Sequence, residues 1–472
     1  MKKILAAIGA ISLLFAGCSQ TASSDDSDQD LLYSIFPLLE NIDNEYEAEL
    51  YFNYALLDLY YIYGHERNEI SSDYKVYLNK GTSADARTKG FCTNNYYDVC
   101  YMYNQMADPF TRYFDPMVAP QVLASIMETE KITGIGAEIE EVNDGTTQFL
   151  RITDIYPRSP AEKAGLQIGD IIVQIDGLSI MSESNFEAMC TGDANEVINI
   201  VVKRNDETFA TNVTIAEYNE PSVKLYYKDS IPVILIKQFV VTSISDSGSY
   251  GEFVSALRKT EGAKSTIIDL RGNPGGETDQ CHNIAAELLT MGDTIINDVE
   301  AQVDSVRDGK SWRYIQKLDT ITYTVSSDGI GKNRYYVVMA DTGSASCSET
   351  MLSALTANRR IPVVGQLTYG KGIGQGVIDS TLNFGLALIT LLQSYDKNWE
   401  SYHDLGIVPD YEIDDPDEQM AKAIELAKEA TAIRTAGYGT QKLNHFSKER
   451  EHEASGKIPT AKDLKLKYKI IK

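Results

Sequence analysis

Residues 341–350 read Asp-Thr-Gly-Ser-Ala-Ser-Cys-Ser-Glu-Thr, which sets hydroxyls at Ser344, Ser346 and Ser348 and a thiol at Cys347. Such a group attacks an acyl carbon when a neighbouring base takes its proton. Lys371, in Thr-Tyr-Gly-Lys-Gly-Ile-Gly-Gln (368–375), is a candidate base. A lysine held between two glycines against a packed sheet is desolvated, and desolvation lowers its pKa toward neutrality. Gln375, four residues on, can hydrogen-bond the amine and aim it. A third segment, Ile-Ile-Asp-Leu-Arg-Gly-Asn-Pro-Gly-Gly-Glu (267–277), ends a buried strand in Gly275-Gly276, whose N–H groups can face a developing oxyanion. Each piece has a plainer reading when taken alone: a small-residue turn, a solvated or phosphate-contacting lysine loop, a strand-to-helix turn. The Walker pattern for phosphate is absent. The histidines are His65, His282, His403, His445 and His452. None lies in a recognisable triad context, although His282 and His403 stay open as bases.

The elements that must position these groups follow from periodicity. Arg334–Asp341 is a strand that delivers the serine segment, and a helix starts near Cys347 or Ser348 with the apolar stripe Cys347, Met351, Leu352 and Leu355. The first N–H groups of such a helix are unsatisfied and lie at its positive end. Ser348 is read as its N-cap. From about 220 to 412 strands and helices alternate: strands at 233–240, 265–270 and 361–366, helices at 247–262 and 281–290, and a strand pair at 382–395. That is an α/β core. A helix follows at 417–430.

Upstream, residues 30–115 carry apolar and aromatic side chains at helical spacing, with dense tyrosine, which reads as an aromatic helical core rather than a ligand site. Residues 130–217 switch to short strand-like runs with Pro-Arg-Ser-Pro-Ala-Glu-Lys-Ala-Gly-Leu-Gln-Ile-Gly-Asp between them, the pattern of a compact, partly open barrel.

The chain has 472 residues, 43% hydrophobic and 24% charged, with a net charge of −25. That size suggests several domains. The acidic balance argues against nucleic acid as a partner, because no overall positive field attracts phosphate. Residues 441–472 depart from it with nine Lys/Arg against four Asp/Glu, a basic tail read as solvated. At the other end, Lys2 and Lys3 precede the apolar run Ile4–Phe15 and then Ala16-Gly17-Cys18. This resembles a bacterial lipoprotein signal, with Cys18 as the lipidated residue, and predicts export and a membrane anchor on a cell envelope, on its periplasmic side or surface. A plain secretory signal is the other reading. A polar, acidic tether follows at 19–30, and no later run is long and apolar enough to predict a transmembrane helix. Cys92, Cys100, Cys190, Cys281 and Cys347 are an odd number, so at least one thiol is free; Cys92 and Cys100 are within reach of pairing. No CxxC or His/Cys cluster suggests a metal.

Two resemblances gather these parts. Ser159-Pro160-Ala161-Glu162-Lys163-Ala164-Gly165-Leu166, Gly169-Asp170-Ile171-Ile172 and Ile175-Asp176-Gly177 resemble a PDZ domain. Its Gly134-Ile135-Gly136-Ala137 turn is the candidate loop for a peptide carboxylate, with a structural β-turn as the alternative. Asp-Pro-Phe-Thr-Arg-Tyr-Phe-Asp-Pro (108–116), the PDZ-like block, Asp-Leu-Arg-Gly-Asn-Pro-Gly-Gly, Gly-Ser-Ala-Ser-Cys-Ser-Glu, Thr-Tyr-Gly-Lys-Gly-Ile-Gly-Gln and Gly-Ile-Val-Pro-Asp (406–410) occur in the order of the carboxyl-terminal processing, or tail-specific, proteases. The resemblance covers roughly 107–412. It implies a serine endopeptidase with Ser346 as nucleophile, Lys371 as general base, Gln375 as its orienting partner, and backbone N–H groups of Gly275 and Cys347 as oxyanion donors. It implies no cofactor.

The fold expected is multidomain α+β: an N-terminal helical region, a PDZ-like partly open β-barrel, and an α/β protease core resembling the ClpP/crotonase-like fold of that family. The expected division is 1–18 signal peptide, 19–30 tether, 31–127 helical domain, 128–218 PDZ-like domain, 219–415 protease core, and 416–472 C-terminal helix and basic tail. Protein or peptide C-terminal tails are the expected substrates, and residues 30–115 are a possible homodimer surface. The alternative is a non-catalytic PDZ-type peptide-binding envelope lipoprotein. Two departures stand out. Family members usually carry Ala where Cys347 sits, and a thiol beside the nucleophile is oxidisable. A PDZ turn that often reads Arg-Gly-x-x-Gly here reads Thr191-Gly192-Asp193-Ala194-Asn195, without the arginine.

Overall fold

A computed structural model describes residues 39–64, 69–143, 148–180, 182–308, 311–359, 361–380 and 385–435. The expected signal segment with Cys18, the expected tether, the basic tail, His65, His445 and His452 lie outside the described residues.

The N-terminal region holds α1 (Glu45–Tyr60), α2 (Tyr97–Asn104), β1 (Arg112–Phe114) and α3 (Ala119–Met127). Asn44 caps α1, accepting the N–H groups of Tyr46 and Glu47 at 2.9 and 3.3 Å. Between α1 and α2, inside the stretch expected to be helical, the chain forms short 3₁₀ turns. The tyrosines do form a core: Tyr51, Tyr61, Tyr74, Tyr77, Tyr103 and Tyr113 are buried. Their hydroxyls need partners in that setting. Tyr103 donates to Asn53 at 3.0 Å and Tyr113 to the buried carboxylate of Glu49 at 2.8 Å. Cys92 and Cys100 are joined by a disulfide.

The second region has β2 (Lys131–Gly134), β3 (Ala137–Asn143), β4 (Gln148–Ile155), α4 (Pro160–Lys163), β5 (Ile171–Ile175), β6 (Leu178–Ser179), α5 (Glu183–Cys190), β7 (Val197–Arg204), β8 (Glu207–Thr214) and β9 (Ala216–Asn219). Its main sheet runs β3-β4-β5-β7-β8, with β6 on β5, and β2 pairs β9. Ile152, Ile172, Ile200, Val202 and Val213 alternate inward to form its own core, in which Cys190 is a buried free thiol.

The third region contains β10 (Val223–Lys228), β11 (Ile231–Ile236), α6 (Gly248–Lys259), β12 (Ser265–Asp269), α7 (Thr278–Leu288), β13 (Thr294–Asp308), β14 (Ser311–Thr324), β15 (Tyr335–Ala340), α8 (Cys347–Arg359), β16 (Val363–Gly365), β17 (Ile373–Ser380), β18 (Gly385–Tyr395), β19 (Tyr411–Glu412) and α9 (Pro416–Thr435). One sheet runs β10-β11-β12-β15-β16-β19, parallel from β11 onward. Every residue of β12 is buried, as a strand covered on both faces requires. Phe253, Ile284, Met351 and Leu352, from α6, α7 and α8, share one core with Ile234, Ile268 and Val338, while Ala423, Leu426 and Ala427 of α9 meet Val233, Ile267, Val337 and Met339 on the opposite face.

A second sheet, β1-β18-β13-β14 with β17 on β18, joins regions distant in sequence. The described part of the stretch 382–395, expected as a strand pair, is the one strand β18, whose partners are β1, β13 and β17. The long β13–β14 hairpin went unread altogether. No helix of the described residues is long and apolar enough to cross a membrane.

Candidate active site

The parallel strands β12, β15 and β16 end at the same edge of the sheet, and the loop after each carries one candidate segment. In open α/β sheets this carboxyl edge is where ligands bind, because the connections there diverge and leave a crevice. The three loops are stitched together. Ala345 donates its N–H to the Asn273 carbonyl at 3.0 Å, and Gly272 donates to Asp341 Oδ1 at 2.8 Å. Ser344 Oγ donates to the Leu270 carbonyl at 2.8 Å, and Ser348 Oγ to the Asn273 carbonyl at 3.0 Å. Tyr369 N–H donates to the Ser344 carbonyl at 3.0 Å. Two of the three serines are thereby committed to holding the turns. The Ser346 hydroxyl makes no hydrogen bond among the described residues.

Ser346 has φ of 55°, in the left-handed region that a β-carbon disfavours. Such an outlier persists only where its surroundings enforce it. Gly275, at φ 101°, is pressed against it: a Cβ on Gly275 would lie 2.7 Å from Ser346 Cβ and 3.0 Å from the Cys347 nitrogen. Only glycine fits there.

Helix α8 begins at Cys347, so the capping position belongs to Ser346, not to Ser348 as expected. Glu349 completes half of a capping box: its Oε2 accepts the Ser346 N–H at 3.0 Å. The same carboxylate accepts the N–H groups of Gly370 at 2.6 Å and Lys371 at 2.7 Å and the Thr368 hydroxyl at 2.5 Å. One buried carboxylate thus ties the serine turn to the lysine turn. Because Oε2 serves both, the backbone nitrogens of Ser346 and Lys371 lie less than about 6 Å apart. The sequence reading missed Glu349, although Ser346-x-x-Glu349 is a legible capping signature.

Lys371 Nζ makes no hydrogen bond or ion pair among the described residues; it lies over the ring of Phe110, 4.7 Å from the centroid. Burial lowers its pKa to about 8; Arg112 pushes in the same direction, and Asp108 and Glu349 oppose. Phe110, Asp108 and Arg112 come from the Asp-Pro-Phe-Thr-Arg segment, which sequence reasoning used as a family landmark and gave no role. Gln375, on β17, donates from Nε2 to Thr390 Oγ1 at 3.1 Å rather than to the amine. Thr390 in turn donates to Asp108 Oδ1 at 2.9 Å and accepts from Thr111 Oγ1 at 3.1 Å.

The oxyanion candidates divide. The Cys347 N–H opens α8 and makes no hydrogen bond among the described residues. The Gly275 N–H, expected to be free, donates to Asn273 Oδ1 at 2.9 Å, because the Asn side chain closes its own turn. The neighbouring Gly276 is exposed, and its N–H makes no hydrogen bond among the described residues.

Residues 230–413 match the model of peptidase family S41, and residues 151–204 that of a PDZ domain. The S41 match falls on the region that carries the three loops. Among curated relatives, a "probable CtpA-like serine protease" of Staphylococcus aureus (strain bovine RF122 / ET3-1) is 27% identical over 76% of the chain and 67% of that protein. One of the same description from Staphylococcus haemolyticus (strain JCSC1435) is 25% identical over 76% of the chain and 66% of that protein. The alignments thus span about two thirds of those relatives' length. A solved "photosystem II D1 C-terminal processing protease" is similar at 20% identity and a TM-score of 0.44, covering 79% of this chain and 94% of that one.

The two described histidines part ways. His282 is buried on α7 against Tyr323, ring centroids 4.7 Å apart, and burial lowers its pKa to about 4. His403 lies beside the lysine loop: a Cβ on Gly372 would come 2.9 Å from its backbone nitrogen. In the PDZ domain, the Gly134–Ala137 turn precedes β3, which is an edge strand of its sheet. Gly136 has φ of 72°, and its carbonyl accepts the Tyr156 N–H at 2.9 Å. Helix α5 flanks β3, with Glu183 N–H donating to Glu141 Oε1 at 2.9 Å. Arg158 pairs with Asp246 and donates to the Ile244 carbonyl at 2.9 Å, joining the PDZ domain to the loop before α6.

Proposed function

We propose that this chain is a serine endopeptidase of the carboxyl-terminal processing type, with Ser346 as nucleophile and Lys371 as general base. The observation that carries the proposal is the shared Glu349 carboxylate, which ties the backbone of the strained turn bearing the Ser346 hydroxyl to the backbone of the loop bearing the desolvated Lys371. Neutral Lys371 takes the Ser346 proton as Oγ attacks the substrate carbonyl, then returns it to the leaving amine; water releases the acyl group by the reverse sequence. The oxyanion meets the Cys347 N–H and the Gly275–Gly276 turn. Within that turn Gly276 is uncommitted, and Gly275 donates once Asn273 Oδ1 turns away. Gln375 acts through the Thr390–Asp108 chain, which holds the segment bearing Phe110 against the lysine.

In the same proposal residues 128–218 read substrate tails and 219–415 cut them. A peptide adds to the open edge of β3, with its carboxylate at Gly134–Ala137. An exported protein anchored through a lipid on Cys18 completes the reading; radiolabelled fatty acid incorporated by the wild type and not by Cys18→Ala tests the anchor. For the tail reader, an unfolded reporter with an apolar C-terminus is expected to be cut at least about tenfold faster than the same reporter amidated at that end, with Ser346→Ala as the blank. Equal rates on both reporters would remove the carboxylate-reading role and leave the peptidase.

Glu349 supplies another expected result. Glu349→Gln removes the charge and leaves at least one buried N–H unmatched, at a cost of about 1–3 kcal/mol in stability. The rate constant kcat is expected to fall about tenfold. Because the Glu349 charge raises the Lys371 pKa, its loss lowers that pKa, so the acid limb of the pH–rate profile moves to lower pH. A purely structural role would lower the rate with that limb unmoved.

A further inference from the structure

Cys347, the residue whose N–H opens α8, is joined by a disulfide to Cys281 in the first turn of α7, with 5.7 Å between their Cα atoms. Helix α7 starts directly after the Gly275–Gly276 turn. The bond therefore clamps together the two segments that carry the oxyanion donors. Both cysteines are buried, in a core with Ile284, Met351 and Leu352.

We propose that Cys281–Cys347 is a redox modification site that latches the oxyanion hole, closed and productive as the disulfide and loosened when a dithiol reduces it. The inference rests on the reading of Ser346 as a peptidase centre. One thiolate of the dithiol attacks a sulfur and forms a mixed disulfide. Its second thiolate displaces the protein sulfur, the dithiol leaves as a cyclic disulfide, and Cys281 and Cys347 take up two electrons and two protons as thiols. Bonded sulfurs lie about 2.05 Å apart. Non-bonded atoms of this size need about 3.5–4 Å. Reduction thus forces the two sulfurs at least about 1.5 Å further apart inside a close-packed core. Cys347 yields readily, being the first residue of its helix, and its N–H moves with it. Misplacing a catalytic group by about 1 Å can cost 10²-fold. The thiols are themselves small and apolar, so the core persists.

The test compares the full chain before and after reduction by dithiothreitol, with reduction verified by alkylation and mass. The expected result is a fall in kcat of about tenfold or more, KM within about twofold, reversal on reoxidation, and faster amide exchange across residues 272–282 and 344–352. Cys92→Ala/Cys100→Ala keeps the response, since it retains the latch. Cys347→Ala loses the response, since no second sulfur crowds Cys281. Free Cys281 and Cys347 thiols in the unreduced protein overturn the proposal. So does verified reduction with kcat and exchange unchanged, a response that vanishes in Cys92→Ala/Cys100→Ala, or one that survives in Cys347→Ala. If the oxidised chain cuts nothing, the peptidase reading fails, and exchange at the two segments decides the latch by itself.

Discussion

Ser346→Ala is expected to lower cleavage of an unfolded reporter by about four orders of magnitude or more, leaving the folded protein intact. Removing a nucleophile leaves only the rate enhancement from oxyanion donors and substrate binding. The substitution deletes one oxygen that makes no hydrogen bond among the described residues, so no buried partner is orphaned. It also keeps the Ser346 backbone N–H that Glu349 accepts. An unchanged thermal midpoint beside a lost rate is therefore the expected pair of measurements. Ser344→Ala and Ser348→Ala should behave the opposite way. Each removes a buried hydroxyl that holds a carbonyl of the neighbouring loop, so each costs about 1 kcal/mol of stability. A Ser346→Ala protein that cuts at the wild-type rate would dismiss the assignment.

Lys371→Ala is expected to cost about 10³-fold in kcat, and Lys371→Arg nearly as much, since a guanidinium stays charged and cannot accept the proton. The wild-type pH profile follows from the same group. With its pKa lowered to about 8, about a tenth of Lys371 is neutral at pH 7 and about half at pH 8. A lysine at the ordinary value would be neutral roughly 300-fold less often at pH 7. Activity therefore rises with pH through about 8 and flattens above it. The sign follows from the cause: burial penalises the charged ammonium, and the neutral amine is the reactive form. Phe110→Ala opens the lysine to water, raises its pKa and moves the rise to higher pH. A profile flat from pH 6 to 9 in the wild type would argue for a different base, with His403 beside the loop the next to test.

Much of this was legible in the sequence because the chemistry sits in short local motifs. Strand-turn-helix segments with fixed small residues declare themselves within ten residues: the serine turn after Arg334–Asp341, the Gly-Gly turn after Ser265–Leu270, and Lys371 between its glycines. The PDZ pattern and the α/β alternation were legible for the same reason, since a period of 2 or 3.6 is written into neighbouring residues.

Tertiary structure alone decided what depends on residues far apart in the chain. The β13–β14 hairpin and the single strand β18 take their partners from across the chain, and pairing at that range leaves no local mark. Phe110 meets Lys371, and Asp108 meets Thr390, only because β1 docks on β18. The Gly275 N–H was assigned from its motif, yet Asn273 holds it. Cys347 was read as a substitution beside the nucleophile, and folding makes it half of a disulfide with Cys281. Residue type and spacing determine which groups are available for chemistry. Which of them remain unpaired, desolvated and within reach of one another is set by burial and by long-range contacts, and only the folded chain has those.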